Sequence, residues 1–86
     1  LAGQLADEEV TGIGAGKTLL RHAPLGVVSV LTPWNFPHCL NVMKLNHALA
    51  AGNTVVLKPS PLTPLAGLAL ARIIDEHTDF PPGVVN

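Results

Sequence analysis

Residues 27–58 read VVSVLTPWNFPHCLNVMKLNHALAAGNTVVLK, and this stretch decides the fold. It begins with a continuous apolar, β-branched run at residues 27–31 and ends with a second such run at residues 54–57. Continuous runs of this kind are typical of strands that are buried on both faces, as in parallel sheets. Parallel neighbours need a long crossover, and the intervening residues suit one helix, so the pattern predicts a βαβ unit.

Two prolines and a glycine delimit the helix of this unit. Pro33 ends the first strand, and Pro37 suits the first helical turn, where its missing N–H costs nothing. We expect the helix to run from Pro37 to about Ala51, with Gly52 closing it as a left-handed cap. Its apolar side chains cover more than one stripe and Lys44 is its only permanent charge, so we expect the helix to be mostly buried.

The chain beyond Lys58 repeats the pattern. After the Pro-Ser-Pro of residues 59–61, Thr63 is a candidate N-cap and Pro64 a first-turn proline of a second helix. The apolar residues of this helix that recur at helical spacing are Leu65, Leu68, Ala69 and Ile73. The Pro-Pro-Gly of residues 81–83 then turns toward a third strand. The predicted order is βαβαβ, an α/β fold that is an incomplete part of a doubly wound, Rossmann-like parallel sheet.

The chain before this unit shows no sustained apolar period. We interpret residues 1–17 as a helix end and a loop that precede the doubly wound part, and residues 18–22 as a short strand. Residues 11–18, TGIGAGKT, resemble a phosphate-binding P-loop, but that motif requires glycine where Thr11 stands and an apolar strand before it. The glycines also fail the dinucleotide fingerprint, whose third glycine falls at Lys17. We therefore do not expect triphosphate binding.

Length and composition limit the class of protein. With 86 residues, no initiator Met and a last β-branched run that is cut off as it begins, we expect an internal fragment of a larger domain. Five scattered basic residues and six acidic ones predict no nucleic-acid partner. No apolar run approaches the roughly 20 residues needed to span a bilayer, so no membrane partner is expected. The single Cys39 favours a reducing compartment, and we expect a cytoplasmic protein.

The informative polar residues fall at predicted strand ends, where ligands bind in doubly wound sheets. Asn35 stands in a turn bracketed by two prolines, a rigid mounting from which a side-chain amide could donate to a developing oxyanion. The alternative is that Asn35 only caps the helix, which its position alone favours. Lys58 follows a buried strand and could donate to ribose hydroxyls or a phosphate, or be an ordinary solvated lysine. Lys44 either reaches solvent along the helix or points into the cleft.

The thiol and the imidazoles are the other groups that could carry chemistry. Cys39 lies near a helix start and is a conceivable nucleophile, but no general base is placed by the sequence to activate it. A small buried hydrophobe is the commoner role of a lone cysteine. The histidines, which show no metal-ligand spacing, are His22, His38, His47 and His77. We expect structural roles for all of them and no metal site.

Several linked motifs resemble the aldehyde dehydrogenase superfamily in order and spacing. They are PLGVV at residues 24–28, PWNFP at 33–37, AAGNTVVLKPS at 50–60, TPL at 63–65 and FPPGVVN at 80–86. The resemblance covers about Leu20 to Asn86. It implies an oxidoreductase that oxidises an aldehyde to a carboxylic acid through a cysteine thiohemiacetal, with NAD or NADP as hydride acceptor. Residues 18–86 are then part of the NAD(P)-binding domain.

The resemblance also assigns roles to particular residues. Asn35 matches the asparagine of the family's oxyanion hole, and Lys44 matches a lysine close to the active site. Lys58 matches the lysine that binds the adenosine ribose, whereas Cys39 matches no catalytic position. The expected cofactor-binding residues are Leu31, Thr32, Pro33, Trp34, Lys58, Ser60 and Pro61.

The chain differs from the family's pattern at one cofactor-binding position, and it lacks two of the family's catalytic residues. Many NAD-preferring relatives carry a glutamate that repels a 2′-phosphate where this chain has Pro61, which leaves NAD and NADP both open. The family's nucleophilic cysteine and general-base glutamate are absent from these 86 residues, so we expect them alone to be inactive and to fold poorly. The complete protein is expected to be a homodimer or homotetramer. The rival interpretation is a non-catalytic protein that kept the fold as a cofactor-binding or structural component.

Overall fold

A computed structural model describes residues 8–86 of the chain. Its elements, in chain order, are β1 (Glu8–Ile13), β2 (Gly16–Arg21), β3 (Val27–Leu31), α1 (Pro37–Ala50), β4 (Thr54–Lys58) and α2 (Pro64–His77). The first two strands form a separate hairpin, and the remaining elements follow the order βαβα. No helix within residues 8–86 is long and apolar enough to cross a membrane.

The sheet that follows the hairpin is parallel, as the two apolar runs predict. β3 pairs with β4 in a register that sets Val27 opposite Thr54 and Leu31 opposite Lys58. A third strand begins on the other side of β4, where Val85 forms a parallel bridge with Val55. The α/β class and the parallel sheet are therefore confirmed, and the Val85 bridge lies where the βαβαβ order puts its third strand.

The carboxyl end of α1 is closed by a Schellman motif. Gly52 adopts φ 79°, a left-handed conformation that a side chain would strain. Its N–H donates to the carbonyl of Leu49 at 2.9 Å, and the N–H of Asn53 donates to that of Ala48 at 3.1 Å. The predicted role of Gly52 as the helix cap is confirmed.

The core lies on one face of the parallel sheet. The buried apolar cluster consists of Val30, Leu45, Ala48 and Val55, with side chains of both helices packed against it. The prediction that β3 is buried on both faces is wrong for the described part of the chain, because α1 and α2 cover the same face. Val27 and Leu31, which point to the opposite face, are 71% and 68% exposed.

The two helices also bury less than their composition suggests. α1 buries one stripe, Asn41, Leu45 and Ala48, so the expectation of a mostly buried helix is wrong. α2 turns Ala66 and Gly67 inward and leaves the predicted stripe outside, with Leu65 76% exposed. Leu65 and Leu68 share one side of α2 with the exposed pair Arg72 and Glu76, so the spacing of the apolar residues predicted the helix but not the face that it buries.

The prediction of a helix end and a loop for residues 1–17 is wrong where the structure describes that stretch. β1 and β2 pair as antiparallel strands joined by the two-residue turn Gly14–Ala15. Gly14 has φ 65° at the first central position, which a type II′ turn assigns to glycine. β2 is exposed along its whole length, so no apolar period marks it. Residues 1–7 lie outside the described residues.

This hairpin also accounts for the glycine-rich stretch at residues 11–18. The stretch forms a strand, a tight turn and a second strand. A P-loop instead joins a strand to a helix, so the geometry that would cradle a phosphate is replaced by strand pairing.

Candidate functional site

The two segments singled out by the sequence meet at one edge of the parallel sheet. Residues 32–36 follow β3, and residues 59–63 follow β4. Leu31 pairs with Lys58, and the N–H of Thr32 donates to the Lys58 carbonyl at 3.3 Å. The carboxyl ends of both strands therefore open onto the same crevice, where doubly wound sheets bind ligands.

Asn35 lies in the turn between β3 and α1 and is exposed. The N-cap of α1 is Phe36, and no side chain makes the capping hydrogen bond. The alternative role of Asn35 as a helix cap is therefore not the one that the structure shows. The amide of Asn35 is open to solvent in the turn that follows the carboxyl end of β3.

The residue that follows Asn35 has an unusual backbone. Phe36 adopts φ 55° and ψ 49°, and it is the non-glycine residue with positive φ within residues 8–86. Such a conformation costs about 1–3 kcal/mol and persists only where surrounding contacts hold it. The Phe36 carbonyl accepts a hydrogen bond from the N–H of Leu40 at 3.0 Å, so the helix begins directly after this bend.

A buried polar pair that the sequence analysis missed lies behind the turn. The hydroxyl of Thr32 donates to Oδ1 of Asn41 at 2.5 Å, and the two residues are 7% and 0% exposed. The other amide atom, Asn41 Nδ2, is buried without a hydrogen-bond partner among residues 8–86. One signal was present in the sequence, because Asn41 is in phase with Leu45 and Ala48 on the buried stripe of α1.

The second segment, Lys58 and the residues 59–63 that follow it, is held by close packing and a hydrogen bond to the backbone, and not by an ion pair of Lys58. Lys58 ends β4, its side chain is exposed, and no ion pair found within residues 8–86 involves it. Ser60 is buried, and its hydroxyl accepts a hydrogen bond from the N–H of Leu62 at 3.2 Å. Gly67 of α2 packs so closely on Pro59 that an added Cβ would lie 2.6 Å from its ring. Lys58 is therefore presented by a tightly packed loop.

The residues expected to bind the cofactor are all at this edge, but in different surroundings. Leu31 and Trp34 are 68% and 60% exposed, and Pro33 and Pro61 are also exposed. Thr32 and Ser60 are buried, and the hydroxyl of each is engaged in a hydrogen bond within the chain. An open apolar surface beside a free ammonium group fits a nucleotide, which presents a flat base together with hydroxyl and phosphate oxygens.

Lys44 lies beside the buried stripe of α1, one turn before Ala48. Together with His47 it lines a groove of about 600 Å³ between α1 and the edge of β3, where Ser29 and Leu31 form the other wall. Lys44 is exposed, so its ammonium both reaches solvent and borders the groove.

Cys39 and the histidines form no metal site in the part of the chain that the structure describes. Residues 8–86 contain no group of three or more His, Cys, Asp or Glu side chains that could hold a metal ion. Cys39 is exposed rather than a buried hydrophobe, which corrects the expectation for its surroundings. Nδ1 of His47 lies 2.6 Å from the Met43 carbonyl, a contact within α1.

Comparison with known proteins gives matches along the whole chain. The model of the aldehyde dehydrogenase family matches residues 1–86. Over 66 residues the chain is 56% identical to mitochondrial aldehyde dehydrogenase 2 of Saccharomyces cerevisiae, covering 77% of this chain and 13% of that protein. It is 51% identical over 69 residues to human aldehyde dehydrogenase 1A1, covering 80% of this chain and 14% of that protein.

Solved structures agree. A crystal structure of PnpE in complex with nicotinamide adenine dinucleotide superposes with a TM-score of 0.82 at 42% identity, covering 99% of this chain and 17% of that one. A structure of 3,6-anhydro-L-galactose dehydrogenase in complex with NAP gives a TM-score of 0.82 at 38% identity, covering 99% of this chain and 18% of that one. The chain therefore spans less than a fifth of the length of each of these proteins.

Proposed function

Because the chain belongs to the aldehyde dehydrogenase family, we propose that the complete protein is an NAD(P)-dependent oxidoreductase that converts an aldehyde to a carboxylic acid. The observation that carries this proposal is the pairing of Leu31 with Lys58, since it sets the Asn35 turn and the Lys58 loop at one edge of the sheet. A donor for the substrate and a donor for the cofactor then face one crevice.

Asn35 is the catalytic residue that we assign to this segment. A cysteine thiolate from elsewhere in the complete protein adds to the aldehyde carbon, and the carbonyl oxygen takes up the negative charge of the thiohemiacetal. The Asn35 amide N–H donates to that oxygen. Its rigid mounting between Pro33 and Pro37 avoids reorganisation during the reaction, and a donor of this kind is worth about 2.7–4 kcal/mol. Loss of a hydride from the thiohemiacetal carbon to the cofactor leaves a thioester, which water hydrolyses to the carboxylic acid with the help of a general base that also lies outside this segment.

Lys58 and the residues near it are the ones that we assign to cofactor binding. When bound, the nicotinamide group accepts the hydride released from the thiohemiacetal carbon. The Lys58 ammonium would donate to the hydroxyls of the adenosine ribose, and the exposed surface of residues 31–34 would line the cofactor. Lys44 borders the groove on the adjacent side of α1, in keeping with a position near the active site.

Both NAD and NADP are proposed as cofactors. At residue 61 the chain has an exposed proline, which brings no carboxylate to repel a 2′-phosphate. The two structural neighbours described above hold nicotinamide adenine dinucleotide in one case and NAP in the other, and this supports the broader proposal. A cytoplasmic, homodimeric or homotetrameric protein remains our proposal for the whole molecule.

The test is an asparagine replacement in the complete protein. Asn35→Ala should lower kcat with an aldehyde substrate by about 10²–10³-fold, while the dissociation constant of the cofactor stays unchanged. Asn46→Ala is the matched control, because Asn46 is an exposed asparagine of α1. Turnover by Asn35→Ala at the control level would overturn the assignment. Failure of the wild-type protein to oxidise any aldehyde with either cofactor would favour the non-catalytic alternative.

A further inference from the structure

Two side chains that lie nine positions apart in the sequence are hydrogen-bonded to each other inside the protein. The Thr32 hydroxyl and Oδ1 of Asn41 are 2.5 Å apart, a distance that suits an O–H···O bond. The pair, here called the Thr32–Asn41 clamp, joins the end of β3 to the second turn of α1. The segment that it closes contains Asn35.

The clamp is a poor device for stability alone. Asn41 is fully buried, and its Nδ2 has no partner among the described residues. A buried N–H without a partner costs free energy, whereas an apolar pair of the same shape would not carry that cost. Leucine at residue 41 would extend the apolar stripe of Leu45 and Ala48. The polar pair therefore suggests a role in geometry.

The turn that the clamp closes needs such restraint. Phe36 is held in the left-handed region, which is unfavourable for a residue with a side chain, and the exposed Asn35 makes no side-chain hydrogen bond within residues 8–86 that would fix it. Before the turn, the backbone is fixed by the hydrogen bond from the Thr32 N–H to the Lys58 carbonyl. After it, the backbone is fixed by the hydrogen bond from the Leu40 N–H to the Phe36 carbonyl. The clamp adds the direct link between these two anchors.

We infer that Asn41 is a positioning residue, which acts with Thr32 to hold the strained turn so that the Asn35 amide points into the crevice. The inference rests on the proposed role of Asn35 as the oxyanion donor. Asn41 itself is fully buried, so its side chain is not open to a ligand. Its effect on the reaction passes through Asn35.

The experiment is a double-mutant cycle in the complete protein with an aldehyde substrate. Asn41→Leu should lower kcat by about 10–100-fold through misplacement of the donor, with the KM of the cofactor unchanged. Its thermal midpoint should equal or exceed that of the wild type. Adding Asn41→Leu to Asn35→Ala should lower kcat by less than about twofold, because the displaced donor is already absent.

A second pair of variants tests the same bond from its other end. Thr32→Val removes the hydroxyl and should reproduce the loss of kcat, whereas Thr32→Ser keeps the hydroxyl and should restore most of the wild-type rate. This pair decides the question even if Asn41→Leu does not fold. Equal kcat values for Thr32→Val and Thr32→Ser would overturn the inference.

The outcomes separate the inference from the proposed function. A large loss in Asn35→Ala with a wild-type rate in Asn41→Leu overturns the clamp and leaves the proposed function standing. Full activity of Asn35→Ala overturns the oxyanion role but leaves the dehydrogenase activity standing; any loss in Asn41→Leu then cannot act through Asn35, so the clamp falls with the oxyanion role. Multiplicative losses in the double variant also overturn the clamp as a device acting through Asn35.

Discussion

Replacing Asn53 with alanine tests how the parallel βαβ unit is held together at the amino ends of its two strands. Asn53 is 6% exposed, and its side-chain oxygen accepts from the N–H groups of Leu25 at 2.6 Å and Gly26 at 3.0 Å. Its amide donates to the Ala48 carbonyl at 3.0 Å. Three hydrogen bonds at about 1 kcal/mol each predict a local loss of about 3 kcal/mol. That loss of free energy corresponds to an increase of about a hundredfold in the equilibrium constant for local opening.

Hydrogen exchange in the complete protein measures this loss locally, without requiring two-state unfolding of a large molecule. Amides of residues 25–31 and 48–55 should exchange about a hundredfold faster in Asn53→Ala, whereas those of the hairpin at residues 8–21 should be unchanged. Asn46→Ala, which removes an exposed asparagine from the same helix, should match the wild type. A change below about threefold in residues 25–31 would refute the assignment of these bonds as the tie between α1 and β3.

Two further predictions concern the cofactor. In the complete protein, Lys58→Met should weaken binding of NAD and NADP by about tenfold through loss of a charged hydrogen bond, with kcat at saturation retained. Lys17→Met, at an exposed lysine of β2, is its control, and equal dissociation constants for the two variants would count against the ribose role. Pro61→Glu should weaken NADP by about tenfold or more while NAD changes little, because the new carboxylate repels only the 2′-phosphate. Parallel loss of both cofactors would indicate a distorted loop instead of charge repulsion.

The parts of the fold that the sequence predicts are those with a strong local signal. The strands β3 and β4 are continuous apolar runs, and α1 is bounded by Pro37 and Gly52, each of which has a conformational reason to be there. The strand predicted at residues 18–22 overlaps β2, but β1 and its pairing with β2 were missed, because this part of the chain carries no apolar period and β2 lies exposed. The signal for the hairpin was the glycine at the first position of a two-residue turn.

The fine geometry of the site is not contained in any local pattern. The left-handed Phe36 contradicts its own backbone preference, so only the surrounding contacts can specify it. The bond between Thr32 and Asn41 depends on how α1 packs against the end of β3, which sequence spacing does not determine. Asn35 and Lys58 could be placed in advance, because both follow strand ends and parallel strands end at one edge.

The two edges of the parallel sheet differ in how well their polar groups are satisfied, and the difference supports the site that we propose at the carboxyl edge. At the amino edge, Asn53 uses both its oxygen and its amide group in hydrogen bonds, and α1 ends in a complete Schellman motif. The buried side-chain atoms that lack partners within residues 8–86 are Asn41 Nδ2 and Thr63 Oγ1. Asn41 is bonded to Thr32 directly after β3, and Thr63 belongs to the segment after β4, so both lie toward the carboxyl edge, where Phe36 is also strained. Local rules are broken where a site has to be shaped.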